Sequence, residues 1–308
     1  MTVLIELAVG DPRAGTRHVS PADADALAAI AQDLGATGLR LVDRADNRIA
    51  VDPSVAAAYL AGRHHALTYV IDAATTHNAP YNLARRVLSF DRATGGGVGL
   101  VLRPGSGDEV SDAVTPDPHA ADPAERWLEY VDVLAGLWVS FPREALLGDQ
   151  EQGVVADVER IRPIDHAGRF YRVAGPLDGP ASVHGRPAVI AADSAALGWD
   201  RVAAVADAVI VDADDIAGAD AALTTALEAV GRRRSDVALL GRIDGRGDPA
   251  VLREWASAAG VDGFVLAPTG DAASIADTVR RTVPAVASPA RGSLHSVLRR
   301  RELAGVPA

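Results

Sequence analysis

The chain has 308 residues, 48 % of them apolar but only 4 % aromatic, and it carries a formal net charge of −11 with no cysteine. Its length suits one large α/β domain or two small ones, and the missing cysteines exclude a disulfide framework, thiol catalysis and any Cys-ligated metal. Every basic residue is arginine, and an acidic chain without a basic stripe is not expected to bind nucleic acid.

The N-terminal stretch MTVLIELAVGDPRAG lacks a basic n-region and is too short for a signal sequence or a membrane span. It reads as a first buried strand, Val3–Val9, and the expected setting is the cytoplasm, without membrane attachment. Short apolar, β-branched runs then recur at Gly38–Asp43, Ala66–Ala73, Val98–Arg103, Pro187–Ala192, Asp207–Asp212, Val237–Ile243 and Asp262–Pro268, each followed by a helical pattern. Ser20-Pro21, Asp52-Pro53, Asp122-Pro123 and Asp248-Pro249 place an oxygen-bearing cap before a proline suited to a helix's first position. Eight strictly alternating β and α units predict an α/β fold, a single (β/α)8 TIM barrel over residues 1–308. The stretches 104–123 and 142–186 read as longer loops or insertions, the kind of segment on which barrels build ligand sites.

Gly95 to Gly97 invite comparison with a phosphate-binding loop. The order of elements argues against it, because such glycines follow a strand and precede a helix. Here the helix YNLARRVLSFDRAT comes first, so the glycines are expected to end it in left-handed backbone and return the chain to the sheet.

The segment TTHNAPYNLARRVLSFDRATGGGVGLVL resembles a stretch of the bacterial luciferase-like flavin monooxygenases, nearest their nitrilotriacetate and dibenzothiophene-sulfone monooxygenase branch. RWLEYVDVLAGLWVSF, DHAGRFYRVAGPLDGPASVHGRPAVIAADS and the tail VDGFVLAP…TVPAV…RGSLHSVLRRRELAG are similar to further segments of that branch, in the same order. The resemblance implies a barrel that uses reduced FMN, delivered by a separate NAD(P)H-flavin reductase, to insert oxygen from O₂ into a small organic substrate, and it implies a homodimer. It carries three flavin-contact positions onto this chain: Asp43 after the second strand, Thr75 after the third, and Ser194 after the fifth, beside the phosphate.

Other positions depart from the pattern. Gly-Ser-Ser becomes Ala192-Asp193-Ser194, which puts a carboxylate where an anion is expected. Trp-Asn becomes Leu100-Val101, and a His and a Tyr give way to Pro123 and Trp127. An alternative is therefore a barrel of the same descent that has lost flavin binding and serves as a partner subunit; a deazaflavin-dependent oxidoreductase is a more distant third. No catalytic residue is assigned. His64, His65, Asp72 and His77 match no ligand spacing, so no metal is expected. Asp165-His166 reads as a structural turn, and Trp138 and Trp199 as core.

Overall fold

The computed structural model describes residues 1–13, 17–46, 48–105, 107 and 109–287. All eight expected strands form: β1 (Thr2–Val9), β2 (Gly38–Leu41), β3 (Thr68–Ala74), β4 (Val98–Arg103), β5 (Ala188–Ala192), β6 (Ala208–Asp212), β7 (Ala238–Ile243) and β8 (Gly263–Leu266). They lie side by side in chain order, and β8 pairs with β1, Leu4 opposite Val265, closing the sheet into a parallel barrel. A two-residue strand, His18–Val19, adds in parallel beside Ala8 and Val9 at the end of β1.

Helices alternate with these strands along the chain. They are α1 (Pro21–Asp33), α2 (Pro53–Ala61), α3 (Pro80–Ala93), α4 (Glu109–Val114), α5 (Pro123–Val139), α6 (Ser194–Leu197), α7 (Trp199–Val205), α8 (Ala219–Ala229), α9 (Pro249–Ala258) and α10 (Ala272–Val286). The four expected caps all close. Ser20, Asp52, Asp122 and Asp248 each accept a backbone N–H of the first turn, an arrangement worth about 1 kcal/mol per helix. After α8, the Arg232 guanidinium donates to the carbonyls of Ala203 and Ala206 at the end of α7.

The chain divides into two compact units, one of residues 1–73, 97–101 and the chain from 188 onward, the other of residues 74–96 and 102–187. In the first, Leu4, Val70, Val101, Ala188, Ile190, Ala192, Ala208, Ile210, Ala238, Leu240 and Val265 form one buried cluster. Their alternate spacing along the strands marks the inward face of the barrel. Small and branched side chains fill it, which is how a chain poor in aromatics builds a dense core.

In the second unit, α3 packs on α5. Trp127 and Trp138 are fully buried, and each indole N–H finds a carbonyl, Leu102 and Ala84 respectively, which removes the cost of burying that donor. Trp138 is core as expected, whereas Trp199 is only half-buried. The stretch 142–186 has more order than its sequence signals, holding two hairpins, Leu146–Asp149 with Val154–Ala156 and His166–Ala167 with Arg172–Val173. The second is held by Glu129 on α5, whose carboxylate accepts the backbone N–H groups of Arg169, Phe170 and Tyr171 and meets the His166 ring at 3.0 Å. His166 therefore partners Glu129, while Asp165 takes the left-handed turn position with φ 45°. Gly95 and Gly96, with φ of 66° and 91°, end α3, and the Gly96 N–H bonds to the Asp91 carbonyl. A side chain on Gly96 would run into His184.

Candidate functional site

Charged side chains on β1, β2, β3, β6 and β7 meet at the C-terminal end of the barrel. Glu6 of β1 lies opposite Arg40 of β2 in register, and Asp212 of β6 opposite Arg242 of β7. Glu6 shares the inward face with Leu4, and Arg242 shares it with Leu240. Arg40 donates to Glu6 at 2.9 Å and holds both oxygens of Asp72 on β3 at 3.1 and 3.2 Å. Arg242 reaches past β8 to bind Glu6 through two nitrogens, at 2.7 and 2.8 Å, and spans to Asp212 at 2.9 Å. Arg17, on the loop after β1, approaches Glu6 at 3.6 Å.

The electrostatics follow from this crowding. Burial by itself would raise the Glu6 pKa, but Arg40, Arg242 and Arg17 outweigh it and hold the carboxyl at about 2, against an ordinary 4.5. Burial likewise works against the charge on Arg40; Asp72 and Glu6 prevail and raise its pKa. The Arg242 pKa is raised chiefly by its bond to Glu6. The result is a fixed array of charges whose inner end is dry and whose outer members, Arg242 and Asp212, are partly open to solvent, with side chains 27 % and 56 % exposed. The array lies at the C-terminal face, where (β/α)8 barrels build their active sites.

Beside it, sharing Arg17, lies a cavity of about 980 Å³, lined by Arg13, Arg17, His18, Asp23, Asp46 and the stretch from Thr269 to Ser274, which is the loop after β8 and the start of α10. It is at the upper end of the volumes found for ligand pockets, roughly 300–1,000 Å³. Arg17 connects cavity and array, since it also bonds Asp46 through its backbone N–H at 2.6 Å. His18 is 4 % exposed, and neither ring nitrogen has a hydrogen-bond partner among the described residues.

None of Glu6, Arg40, Asp72, Arg242 or His18 was reached as a site residue by motif reasoning. A signal for the first four does exist in the sequence. Each is a lone charge in a strand that is otherwise apolar, in phase with the residues that face inward, and a lone charge so placed needs a partner.

The three positions carried over by resemblance lie after barrel strands. Asp43, half-buried, follows β2 by two residues, and its carbonyl accepts the Ala50 N–H, closing the small hairpin Arg44–Ala45 with Arg48–Ile49. Thr75 directly follows β3 and is fully buried, its hydroxyl oxygen accepting the Gly105 N–H at 3.0 Å. Ser194 opens the four-residue α6 and is half-buried. Asp193 before it takes the left-handed conformation, φ 65°, and its carboxylate accepts the Ala196 N–H. That donor is thereby occupied, and the carboxylate adds a negative charge that works against an anion at the turn after β5. Leu100 and Val101 are fully buried in β4. His64 bonds Asp25 at 3.0 Å and Asp72 bonds Arg40; among the described residues no cluster of His, Cys, Asp or Glu has the makings of a metal site. No described helix is long and apolar enough to cross a membrane.

The luciferase-like monooxygenase family model matches residues 2–243. Nitrilotriacetate monooxygenase component A of Aminobacter aminovorans is 32 % identical over 142 residues, 46 % of this chain and 31 % of that protein. N-acetyl-S-(2-succino)cysteine monooxygenase of Bacillus subtilis (strain 168) is 27 % identical over 139 residues, 44 % of this chain and 32 % of that one. These matches thus span about a third of the length of the relatives. The solved structure of a long-chain alkane monooxygenase superposes with a TM-score of 0.81 at 15 % identity, covering 96 % of this chain and 95 % of that one, and so shares the fold.

Proposed function

Because the chain belongs to the luciferase-like monooxygenase family, we propose that it is a flavin-dependent monooxygenase that takes reduced FMN from a separate NAD(P)H-flavin reductase and oxidises a small organic substrate. The observation that carries this reading is the buried Glu6–Arg40–Asp72–Arg242 array at the C-terminal end of the barrel, with a cavity of about 980 Å³ beside it to which Arg17 connects it. Two-component enzymes of this kind need a site large enough for a ring system and a substrate together, with fixed dipoles beside it and little free water. Reduced flavin, when bound, supplies the electrons that activate O₂. The protein's part is to position and to shield.

A flavin's ring and polar side chain suit this mouth: Arg242 and Arg17 supply donors, Asp212 supplies acceptors, and the apolar barrel wall below excludes water. Asp43, Thr75 and Ser194 are the proposed flavin contacts among residues carried over by resemblance. The Asp193 carboxylate beside Ser194 works against a phosphate at that turn. The substrate's chemistry, the homodimer and the cytoplasmic setting belong to the same proposal. The occupied donor at Asp193 is also the observation that favours the second reading, a barrel without flavin chemistry.

Anaerobic calorimetric titration with reduced FMN separates the two. Saturable binding, with a dissociation constant on the order of micromolar, that weakens in Asp43→Ala supports the enzyme. A folded protein that takes up no reduced flavin at millimolar concentration rejects it and leaves the partner-subunit reading.

A further inference from the structure

We infer that the cavity beside α10 is a binding site for the ammonium group of an organic amine, held by Asp23 and Asp271 with His18 as a further hydrogen-bond partner. The balance of charge on the lining is the first observation. Three aspartates, Asp23, Asp46 and Asp271, stand against two arginines, Arg13 and Arg17. The arginines are engaged within the protein: Arg17 meets Asp46 and Glu6, and Arg13 meets Asp11. Asp23 and Asp271 meet no arginine or histidine among the described residues; the first accepts from the Ser20 hydroxyl and the second from the Ser274 N–H. A carboxylate has about four acceptor sites, so both keep sites for a ligand's donors.

Both carboxylates lie at the start of a helix, α1 for Asp23 and α10 for Asp271. The partial positive charge there offsets about half a unit for each, and the rest is uncompensated. The bond from Ser274 holds the Asp271 carboxyl below the usual carboxylate range, which keeps it ionised at neutral pH. Caps of this kind are by themselves ordinary helix chemistry. The second observation sets this cavity apart. His18, on the same lining, is 4 % exposed and has no partner for either ring nitrogen among the described residues. A neutral imidazole carries one N–H donor and one acceptor nitrogen, and a buried polar group left unpaired costs on the order of 1–3 kcal/mol. An ammonium group in the cavity would bring that acceptor a donor.

The ligand class follows from the same lining. An anion would meet two uncompensated carboxylates. A metal ion needs a tighter donor set, and among the described residues no three His, Asp or Glu side chains are placed to hold one. An organic cation needs neither condition. Separate carboxylates satisfy its charge, and its carbon stem finds apolar surface on Pro12, Val19, Ala272 and Ala273.

The existence of this site is argued from the cavity, and only the identification of the amine as the substrate rests on the monooxygenase reading. The test is calorimetric titration of the full chain, at constant pH and ionic strength, with butylammonium, butanol and butyrate, which share a stem and differ in the head group. Saturable binding of butylammonium alone, with a dissociation constant on the order of millimolar, is expected. Its affinity should fall about tenfold in Asp23→Asn and in Asp271→Asn, each the loss of one charge-assisted bond. Asparagine retains an acceptor at both helix starts, so these variants keep the fold. NMR of the chain labelled at histidine Cε1, with the His18 signal assigned by its loss in His18→Gln, should show that signal moving in step with the amine; the calorimetry does not depend on that variant. No amine binding at tens of millimolar overturns the inference, as does equal binding of butanol or tighter binding of butyrate. An affinity unchanged in both asparagine variants, or a His18 signal that the bound amine leaves in place, overturns it too. Reduced FMN, titrated anaerobically alongside, separates this site from the proposed function. Flavin uptake without amine binding sinks only the site, and amine binding without flavin uptake sinks only the enzyme.

Discussion

Replacing Glu6 by glutamine tests the charged array directly. Glu6 is 7 % exposed and contacts both Arg40 and Arg242. Glutamine keeps the shape and one acceptor but removes the charge, so Arg40 retains only Asp72 as counter-ion in a setting where removal of one partner costs about 3–5 kcal/mol. The titration gives a second route to the magnitude. A carboxyl at about 2 in the folded protein and 4.5 when unfolded differs by two to three units at about 1.4 kcal/mol each, or about 3 kcal/mol. The folded pKa is the lower, so this stabilisation is fully present above 4.5 and is lost as pH falls through 2. At pH 3 about 1 kcal/mol of it remains. Urea unfolding followed by circular dichroism should place the Glu6→Gln midpoint on the order of 1 M below that of the native chain at pH 7, with a gap that narrows markedly at pH 3. A loss below about 1 kcal/mol at neutral pH, or the same gap at both pH values, would refute the argument that the ionised carboxylate holds the two arginines.

Thr75→Val removes the acceptor of the Gly105 N–H while keeping a β-branched shape, and should lower stability by about 1–3 kcal/mol with faster amide exchange at Gly105. Arg169 N–H and Tyr171 N–H bond different oxygens of Glu129, so Glu129→Gln leaves one of them facing an amide NH2 and the other on a neutral acceptor. Charged acceptors are roughly twice as strong, so hydrogen exchange should accelerate in residues 166–173 well before the barrel strands respond.

The eight strands and the helices between them were legible because each rests on local chemistry. β-branched runs set the strands, and an oxygen-bearing cap before proline starts α1, α2, α5 and α9. The glycine run could be assigned from order alone, since only a helix end has use for left-handed backbone at that point, and Gly95 and Gly96 adopt it. Motifs of chain order likewise pointed to the family.

The site was legible only in part. Asp43, Thr75 and Ser194 could be placed after their strands, but the sequence could not say that Thr75 spends its oxygen on Gly105 or that Asp193 turns left-handed to bond Ala196. The hairpin from His166 to Val173 was missed because it is held by Glu129, a residue on a different element. Above all, Glu6 and Arg242 are 236 positions apart and carry no shared motif. Closure of β8 onto β1 brings them into contact, and burial then makes their pairing obligatory, because a lone charge in that interior would cost more than the fold can supply. Sequence determined which residues form strands; the closed barrel decided which of their charges would meet.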